Sequence, residues 1–468
     1  MSALFKIAAR NIWRNRRRSL MTGSAIAAGA FATLLFGGFV AYIFSGLETN
    51  NVQRIGHLTV FRSGYFLFGA GDPAGYGIDH YRDVMGLIGN DPVLSPMINV
   101  MTPTQSLVGI AGNFSADTDA SKTFIGVGLI PSDRERMRHW DEFHVSNIDP
   151  SDTRMSDNDQ NRGLIGFGLA RILGLCAPLS LKNCPAIPKI SKDTPSGAVN
   201  QDLTELADRD VSEFASVKPQ SAPHIELLAA TAGGAPNVVS LMVGGADPQP
   251  VKELDDNYIA MPLSLAQQLV YGRGEHKVTG IVLQLRRSED LRTARARLMS
   301  LLREHNLDLD VRDFGELNPF YGQAKGLFSA IFMFIALVMG VIVLFAVINT
   351  MTMNVMERTN EIGTIRALGV RRGGIRLQFI AEGWLIGALG ATVGSVVALL
   401  IATLVNHSGV TWVPPGNANA IPLLSTVAGN PALIVGAWIG LVLVATLAAL
   451  IPANNAGRLA VVDALRHV

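Results

Sequence analysis

Three long stretches of this sequence contain no charged residue, and they limit what the chain can fold into more than any other feature. They run from Ser19 to Leu47, from Gly326 to Met356 and from Gly383 to Gly457. Pro414 and Pro415 divide the third stretch in two. A helix needs about 20 apolar residues to cross the hydrocarbon core of a bilayer. The pattern therefore predicts an α-helical membrane protein with four spans. The predicted spans are residues 19–47, 326–353, 378–405 and 432–452.

The composition agrees with a membrane protein that carries one large soluble segment. Charged residues make up 16% of the chain, whereas ordinary soluble domains contain about 25%. The net charge is +1, which gives no overall field to attract nucleic acid. We therefore expect membrane lipids, and no nucleic acid, among the partners of this chain.

Lysine and arginine concentrate on one side of the predicted spans, and this bias sets the orientation. Residues 1–18, 354–377 and 453–468 carry them, whereas residues 406–431 carry none. Both termini and the 354–377 loop are therefore expected in the cytoplasm, and residues 48–325 and 406–431 outside it. The first span could also be a cleaved signal peptide, because a basic stretch precedes it. Its uncharged part is longer than a signal core of about 7–15 residues, which favours a retained helix.

Residues 1–18 are predicted to form an amphipathic helix on the cytoplasmic membrane surface. An apolar side faces a basic side, as in helices that bind lipid headgroups. The apolar side comprises Phe5, Ala8, Ala9, Ile12 and Trp13, and the basic side Lys6, Arg10, Arg14 and Arg17.

Residues 48–325 alternate between strand-like and helix-like segments, which predicts a large α+β extracytoplasmic domain between the first two spans. Strands rich in Val and Ile are expected at 223–230, 238–243, 257–261 and 278–285. A helix is expected at 288–304, with Ser288 as its N-cap. Residues 183–222 are rich in Pro, Ser, Asp and Lys, and are expected to form an exposed, partly mobile insertion.

The two cysteines of the chain, Cys176 and Cys184, border this insertion. A disulfide persists in an oxidising compartment outside the cytoplasm, so we expect the pair to form a structural clip. Two free thiols, one of them buried, are the alternative.

An aromatic segment lies soon after the first span and contains Phe61, Tyr65, Phe66 and Phe68. Two interpretations are open. The segment is a core strand followed by a glycine-rich loop, or it forms an apolar surface near the membrane that contacts a lipid-like substrate.

The segment from Glu357 to Gly369, ERTNEIGTIRALG, leaves the membrane directly from the second span. Ile362, Ile365 and Leu368 recur at i, i+3 and i+6, so they share one face of a short helix. Gly369 can end that helix in a left-handed conformation. A short helix with an apolar face and charged flanks suits the groove of a partner protein. An ordinary basic cytoplasmic loop is the alternative.

Three segments resemble the MacB/FtsX/LolCE superfamily of ABC-transporter permeases. They are AARNIWRNRRRSL at 8–20, ERTNEIGTIRALGVRRGGI at 357–375 and IPANNAGRLAVVDALRH at 451–467. In the third segment Val461 and Val462 stand where the family favours a proline. Within the outer segment, GHLTVF at 56–61, GFGLARILGL at 166–175 and IAMPLSLAQQLV at 259–270 resemble the LolE-type branch.

The resemblance implies that the segment between spans two and three is a coupling helix that docks in a groove of an ATPase subunit. It also implies that closure of the ATPase dimer moves the outer domains, without a pore through the membrane. Spans free of charged side chains would fit such a mechanism. The coupling-helix residues carried over by position are Glu357, Arg358, Glu361, Ile362, Gly363, Ile365, Arg366, Ala367, Leu368 and Gly369.

Several motifs are absent from the sequence. It has no G-x-x-x-x-G-K-[ST] phosphate loop, so ATP and Mg are expected on a separate ATPase subunit, present in two copies. We expect no enzyme activity, catalytic residue or cofactor in this chain. His139 and His144 flank Asp141 and Glu142, but such a polar stretch is typical of solvated surface, and no metal site is expected.

The leading functional prediction is extraction or transfer of a lipoprotein or other amphiphile from the bacterial inner membrane. Drug or toxin efflux, and FtsX-like signalling to a periplasmic partner, are the alternatives. A second permease chain, identical or paralogous, and a periplasmic acceptor or adaptor are the further partners expected. Three Gly-x-x-x-Gly pairs either pack helices within one protomer or join two protomers. They are Gly383/Gly387, Gly390/Gly394 and Gly436/Gly440.

Overall fold

The computed structural model describes residues 2–69, 71–114, 120–146, 155–181, 184, 223–249, 251–272, 276–412 and 421–459. The chain divides into a helical unit and an α+β unit. The helical unit comprises Met1–Glu48, Pro319–Trp412 and Ile421–Val468, and the α+β unit comprises Thr49–Asn318 and Val413–Ala420. Apart from Cys184, the predicted insertion lies outside the described residues, as does the predicted tail beyond Leu459.

The helices and strands follow one another along the chain, and a π-helical turn at Tyr65–Gly69 follows β1. They are α1 Ser2–Arg14, α2 Arg16–Ile55, β1 Leu58–Arg62, α3 Tyr81–Gly89, β2 Ile98–Asn113, β3 Ala120–Leu129, α4 Pro131–Arg138, β4 Arg162–Ile165, α5 Phe167–Ile172, β5 His224–Ala230, β6 Pro236–Ala246, α6 Lys252–Asp255, β7 Tyr258–Pro262, α7 Leu263–Tyr271, β8 Gly280–Leu285, α8 Leu291–Glu304, β9 Leu309–Asp313, α9 Phe314–Leu317, α10 Pro319–Glu357, α11 Thr359–Ala367, α12 Arg372–His407, β10 Thr411–Trp412, β11 Ile421–Pro422 and α13 Pro431–Arg458.

Four helices of the described chain are long and apolar enough to cross a membrane: α2, α10, α12 and α13. Each contains one of the predicted spans. With a rise of about 1.5 Å per residue, the 40 residues of α2 and the 39 of α10 exceed the roughly 30 Å of a hydrocarbon core. Both helices therefore extend beyond the length that a bilayer requires.

The short helix α1 packs on α12, and this contact changes which of its side chains are exposed. Ala8 is fully buried, and Ile12 packs against the core of the helical unit. Trp13 and Ile7 are exposed instead. The predicted single apolar side is thus wrong in detail, because tertiary contact with α12 takes part of that side out of reach of lipid.

Glycines bring α12 unusually close to its neighbours. A side chain at Gly383 or Gly387 would collide with Ala449 or Ala445 of α13, and one at Gly390 or Gly394 would collide with the backbone of α2. These two glycine pairs therefore pack helices within one protomer. A side chain at Gly436 or Gly440 would meet nothing, so the third pair lies on an open face of α13.

The α+β unit is built on a nine-stranded sheet in the described part of the chain. Its order is β3-β7-β4-β6-β5-β2-β8-β1-β9, and β3 also pairs with β2. Six strands, from β3 to β2, therefore close into a ring. The long strand β2 belongs to both parts of the sheet, because residues 98–104 pair with β8 and residues 105–113 pair with β3.

Two hydrophobic cores correspond to the two parts of this sheet. One core, around Phe124, Leu169 and Leu241, packs α5 and α7 on strands of the ring. The second core, around Val60 and Leu298, packs α3 and α8 on the strands β8, β1 and β9. The four predicted strands of the segment 223–285 correspond to β5, β6, β7 and β8, and the predicted helix corresponds to α8.

The predicted N-cap, Ser288, does not cap α8. Residues Ser288–Asp290 form a 3₁₀ turn, and the helix begins at Leu291. The Ser288 hydroxyl lies 3.1 Å from Nε2 of His57, and its backbone N–H donates to Glu142 at 2.7 Å. The prediction failed because the local cap signal cannot anticipate these partners, which are distant in sequence.

His57, which directly precedes β1, is fully buried and forms hydrogen bonds to the end of β8 and to this turn. Its Nδ1 accepts a hydrogen bond from the backbone N–H of Leu285 at 3.0 Å. In the neutral ring Nε2 therefore carries the proton and donates a hydrogen bond to the Ser288 hydroxyl. Trp140 and Phe314 contact the ring edge-on. Burial lowers the pKa of His57 from 6.5 to about 3, so the ring is neutral at ordinary pH.

We expect the α+β unit to lose stability as the pH falls from 6.5 towards about 3. The unfolded chain binds a proton at the ordinary pKa and the folded chain only at the lowered one, so acid favours unfolding in this window. The limiting slope for one group is about 1.4 kcal/mol per pH unit. Hydrogen exchange of the β1 and β8 amides measures it. His57→Asn, which keeps an acceptor but does not titrate, should flatten the dependence, whereas the exposed His224→Asn should not.

Leucine at Gly394 should destabilise the helical unit, because the side chain would overlap the Ala27 carbonyl of α2. Overpacking of this kind costs about 1–3 kcal/mol. Gly440→Leu adds the same atoms where nothing lies nearby, and should leave the protomer folded. Thermal unfolding in detergent, followed by size-exclusion chromatography, compares the two. Equal stability would mean that α12 does not pack closely on α2.

Candidate functional site

The predicted coupling segment forms the turn between α10 and α12. The long helix α10 ends at Glu357, Arg358 takes φ −105° and ψ 15°, and α11 follows. The backbone N–H of Arg358 donates to Asn354, and that of Ile362 to Arg358. Helical hydrogen bonds therefore continue through the bend. Gly369 ends α11 at φ 95°, the left-handed conformation predicted for it.

The apolar residues of α11 divide between the interior and the surface. Ile362 is only 4% exposed and packs with Val355, Ile375 and Phe379. Ile365 packs against the same cluster. Leu368, by contrast, is 81% exposed. The prediction that all three residues face a partner is wrong for Ile362, because the protomer's own core covers it.

The exposed side of α11 carries small and polar residues beside Leu368. Thr364, Ala367 and Leu368 are all exposed, and their i, i+3, i+4 spacing puts them on one helix face. We call these three residues the outer face of α11. Thr364 was missed from the sequence because it is not apolar. The signal that could have found it is this spacing, which follows the face opposite to Ile362.

Arg358, at the bend, is a buried cation with two carboxylate partners. It is 8% exposed. Its Nε donates to Glu361 at 3.1 Å and its Nη1 to Glu382 at 3.1 Å. Asn11 of α1 donates to the same oxygen of Glu382 at 2.6 Å. The bend, α1 and α12 therefore meet at one buried carboxylate.

Glu382 corrects the expectation of spans without charged side chains. It lies inside the predicted span 378–405 and is 3% exposed. The uncharged stretch begins at the next residue, but the helix that contains it starts at Arg372. Residues at the end of a span are within reach of arginines outside it, which is how Arg358 pairs with this carboxylate.

Three further contacts fasten the ends of the segment. Arg14 of α1 donates to both oxygens of Glu361, at 2.7 and 2.8 Å. The hydrogen bond from Arg14 and that from Arg358 lower the pKa of Glu361. Arg18 pairs with Glu357 at 2.6 Å, and Arg366 donates to the Leu459 carbonyl.

The aromatic segment of the α+β unit is half buried and half exposed. Phe61 and Tyr65 are buried and stacked, with ring centroids 5.1 Å apart. Their predicted role as substrate contacts is wrong, because they form part of the core at the end of β1. Phe66 and Phe68 are exposed at the π-helical turn, and so is Leu67 between them, which is 81% exposed. We call residues 66–68 the apolar tip.

The structure also locates the predicted disulfide and the histidines that precede it in the chain. Cys176 and Cys184 are joined by a disulfide, with Cα atoms 5.7 Å apart. His139 lies 3.2 Å from Glu135. No group of three or more His, Cys, Asp or Glu in the described residues is arranged to hold a metal ion.

Comparison with known proteins finds relatives of the helical unit. Residues 333–461 match the family of FtsX-like permease C-terminal domains. The chain is 30% identical over 173 residues to the macrolide export ATP-binding/permease protein MacB of Brucella abortus, covering 36% of this chain and 25% of that protein. It is 28% identical over 194 residues to MacB of Neisseria gonorrhoeae, covering 41% of this chain and 28% of that protein. It is 30% identical over 148 residues to MacB of Escherichia coli, covering 31% of this chain and 23% of that protein. The chain thus spans about a quarter of the length of these relatives.

Proposed function

This chain belongs to the MacB/FtsX/LolCE superfamily of ABC-transporter permeases, and from that premise we propose that it couples an ATPase to movement of its α+β unit. The ATPase binds the outer face of α11. The α+β unit works outside the cytoplasm of a bacterium, on a lipoprotein or other amphiphile of the inner membrane. The observation that carries the proposal is the exposure of Leu368 on a short helix that is otherwise held in the protomer.

The position and exposure of Leu368 support docking at α11. A leucine that is 81% exposed loses contact with water when a partner covers it, and removal of apolar surface from water favours association. Thr364 and Ala367 beside it are small, so a groove can approach the helix backbone. The sequence contains no phosphate loop, so ATP and Mg²⁺ are assigned to the ATPase, which acts as two copies.

The distribution of arginines supports a cytoplasmic position for α1, α11 and the end of α13. Arg14, Arg366 and Arg458 belong to these three elements, and positive residues favour the cytoplasmic side of spans. Both termini are therefore proposed to be cytoplasmic. The open glycine face of α13, Gly436 and Gly440, suits close approach of a second permease chain.

The apolar tip supports an amphiphilic cargo. Phe66, Leu67 and Phe68 expose apolar surface side by side, and a contiguous patch of this kind usually marks a binding surface. With the LolE-like segments of the sequence, it favours lipoprotein or lipid transfer to a periplasmic acceptor. The second candidate is drug efflux, which is favoured by the similarity to the macrolide export proteins MacB.

We expect Leu368→Asp to weaken binding of the ATPase subunit at least about tenfold, since it would bury an unpaired charge in the interface in place of an apolar side chain. Leu67→Asp is a matched control, because both leucines are 81% exposed and neither supports the core. It should leave ATPase binding intact and reduce copurified lipid or lipoprotein. Copurification from native membranes, with mass spectrometry of bound proteins and lipids, measures both effects. An intact ATPase complex with Leu368→Asp would refute docking at the outer face of α11.

The proposed topology predicts how the cysteines react in cells with a permeabilised outer membrane. A membrane-impermeant thiol reagent should label neither Cys176 nor Cys184 until a reductant is added, and both afterwards. Labelling before reduction would mean that the disulfide does not persist. No labelling after reduction and denaturation would mean that the α+β unit faces the cytoplasm.

A further inference from the structure

We propose that buried Arg358 and Glu382, together with the half-buried Asn11, pass displacement of α11 to α12 and α1, with Arg358 as the positioning residue. This inference rests on the proposed docking of an ATPase at α11, and names the connection behind that surface. We call the three residues the junction. None of them belongs to the outer face of α11.

The junction joins three elements through one carboxylate oxygen. Oε1 of Glu382 accepts from Arg358 at 3.1 Å and from Asn11 at 2.6 Å. The guanidinium of Arg358 lies 5.9 Å from the ring centroid of Phe379, one turn before Glu382 on α12. Arg358 is thus held on one side by an ion pair and on another by an aromatic ring. Hydrogen bonds fix the direction of approach in addition to the distance.

Burial gives the junction its stiffness. Arg358 is 8% exposed and Glu382 3% exposed, and breaking a buried ion pair leaves an uncompensated charge. Rotation of α11 about the bend would pull the guanidinium from Glu382 and strand both groups. The exposed pair Arg14–Glu361 lacks this property, because water can solvate its members when they separate. The junction, rather than the surface pair, therefore resists bending.

Apolar contacts also connect α11 to α12 and α13, and would pass displacement of α11 in the same direction. Ile362 of α11 packs with Ile375 and Phe379 of α12 and with Ala453 of α13. On α12, Gly383 follows Glu382 directly and touches Ala449 of α13. A push on α11 therefore meets α12 at a charged and an apolar contact, and α12 meets α13 one residue further on. These contacts resist a change in the angle between α10 and α11 at the bend.

Hydrogen–deuterium exchange tests this in the full permease bound to its copurified ATPase, in lipid nanodiscs. In the wild type, trapping with ADP and vanadate should change exchange in residues 375–383 of α12 as well as in α11. In Arg358→Met the ATPase should stay bound, α11 should exchange about tenfold faster, and the change in α12 should disappear. Arg458→Met, the same substitution at an exposed arginine in the last turn of α13, should behave as wild type.

Two further variants with smaller changes in side-chain shape or charge test the same proposal if Arg358→Met fails to fold. Glu382→Gln keeps the shape of the side chain and removes its charge, and should also lose the change in α12. Arg358→Lys retains a charge that can reach one carboxylate, and should restore part of it, which a merely structural role would not require.

The outcomes separate failure of this inference from failure of the proposed function. An unchanged α12 response in Arg358→Met and in Glu382→Gln, with ATPase bound, would overturn the junction and leave docking intact. No protection of α11 by the ATPase in the wild type would overturn the docking itself, and the junction with it.

Discussion

Close packing around α12 is the contact on which the helical unit depends. Gly383 and Gly387 allow α13 to approach α12 closely, and Gly390 and Gly394 allow the backbone of α2 to do so. In lipid, helices gain little from hiding apolar surface, so association comes from close backbone approach and from hydrogen bonds between helices. The same helix carries Glu382, which holds the bend at Arg358. One helix thus fixes both the arrangement of the spans and the attachment of the segment between α10 and α12.

The sequence predicted features that depend on local pattern. The four apolar helices, the short helix α11 and the left-handed Gly369 follow from hydrophobicity, length and glycine chemistry. Contacts between distant elements could not be predicted in this way. Ile362 and Leu368 are equally apolar, and only the packing of α11 on Phe379 makes one a core residue and the other an exposed one. The burial and pairing of Glu382 could not be predicted for a related reason, because its partners Arg358 and Asn11 lie outside α12.

In the α+β unit, too, local patterns could be predicted from the sequence and long-range contacts could not. Its Val- and Ile-rich strands were evident, but the closure of six of them into a ring depends on pairings between strands far apart in the chain. Phe61, Tyr65 and Phe66 were assigned one role from the sequence, yet Phe61 lies in the buried part of β1 and Tyr65 is buried beside it, whereas the π-helical turn exposes Phe66. The match to FtsX-like permease C-terminal domains lies within the helical unit, whereas the apolar tip belongs to the α+β unit, outside the matched residues.

The order of strand pairing has a consequence for how the protein is made. Val60 of β1 pairs with Ile281 and Val311, and β2 cannot complete its ladders until β8 has been synthesised. Such distant contacts are intrinsically slow to form. During synthesis β1 and residues 98–104 of β2 lack partner strands until most of the unit has emerged, whereas residues 105–113 of β2 can pair early with β3. Incomplete chains with unpaired strand edges are prone to aggregate, and β1 is the strand that stays unpaired longest after its synthesis.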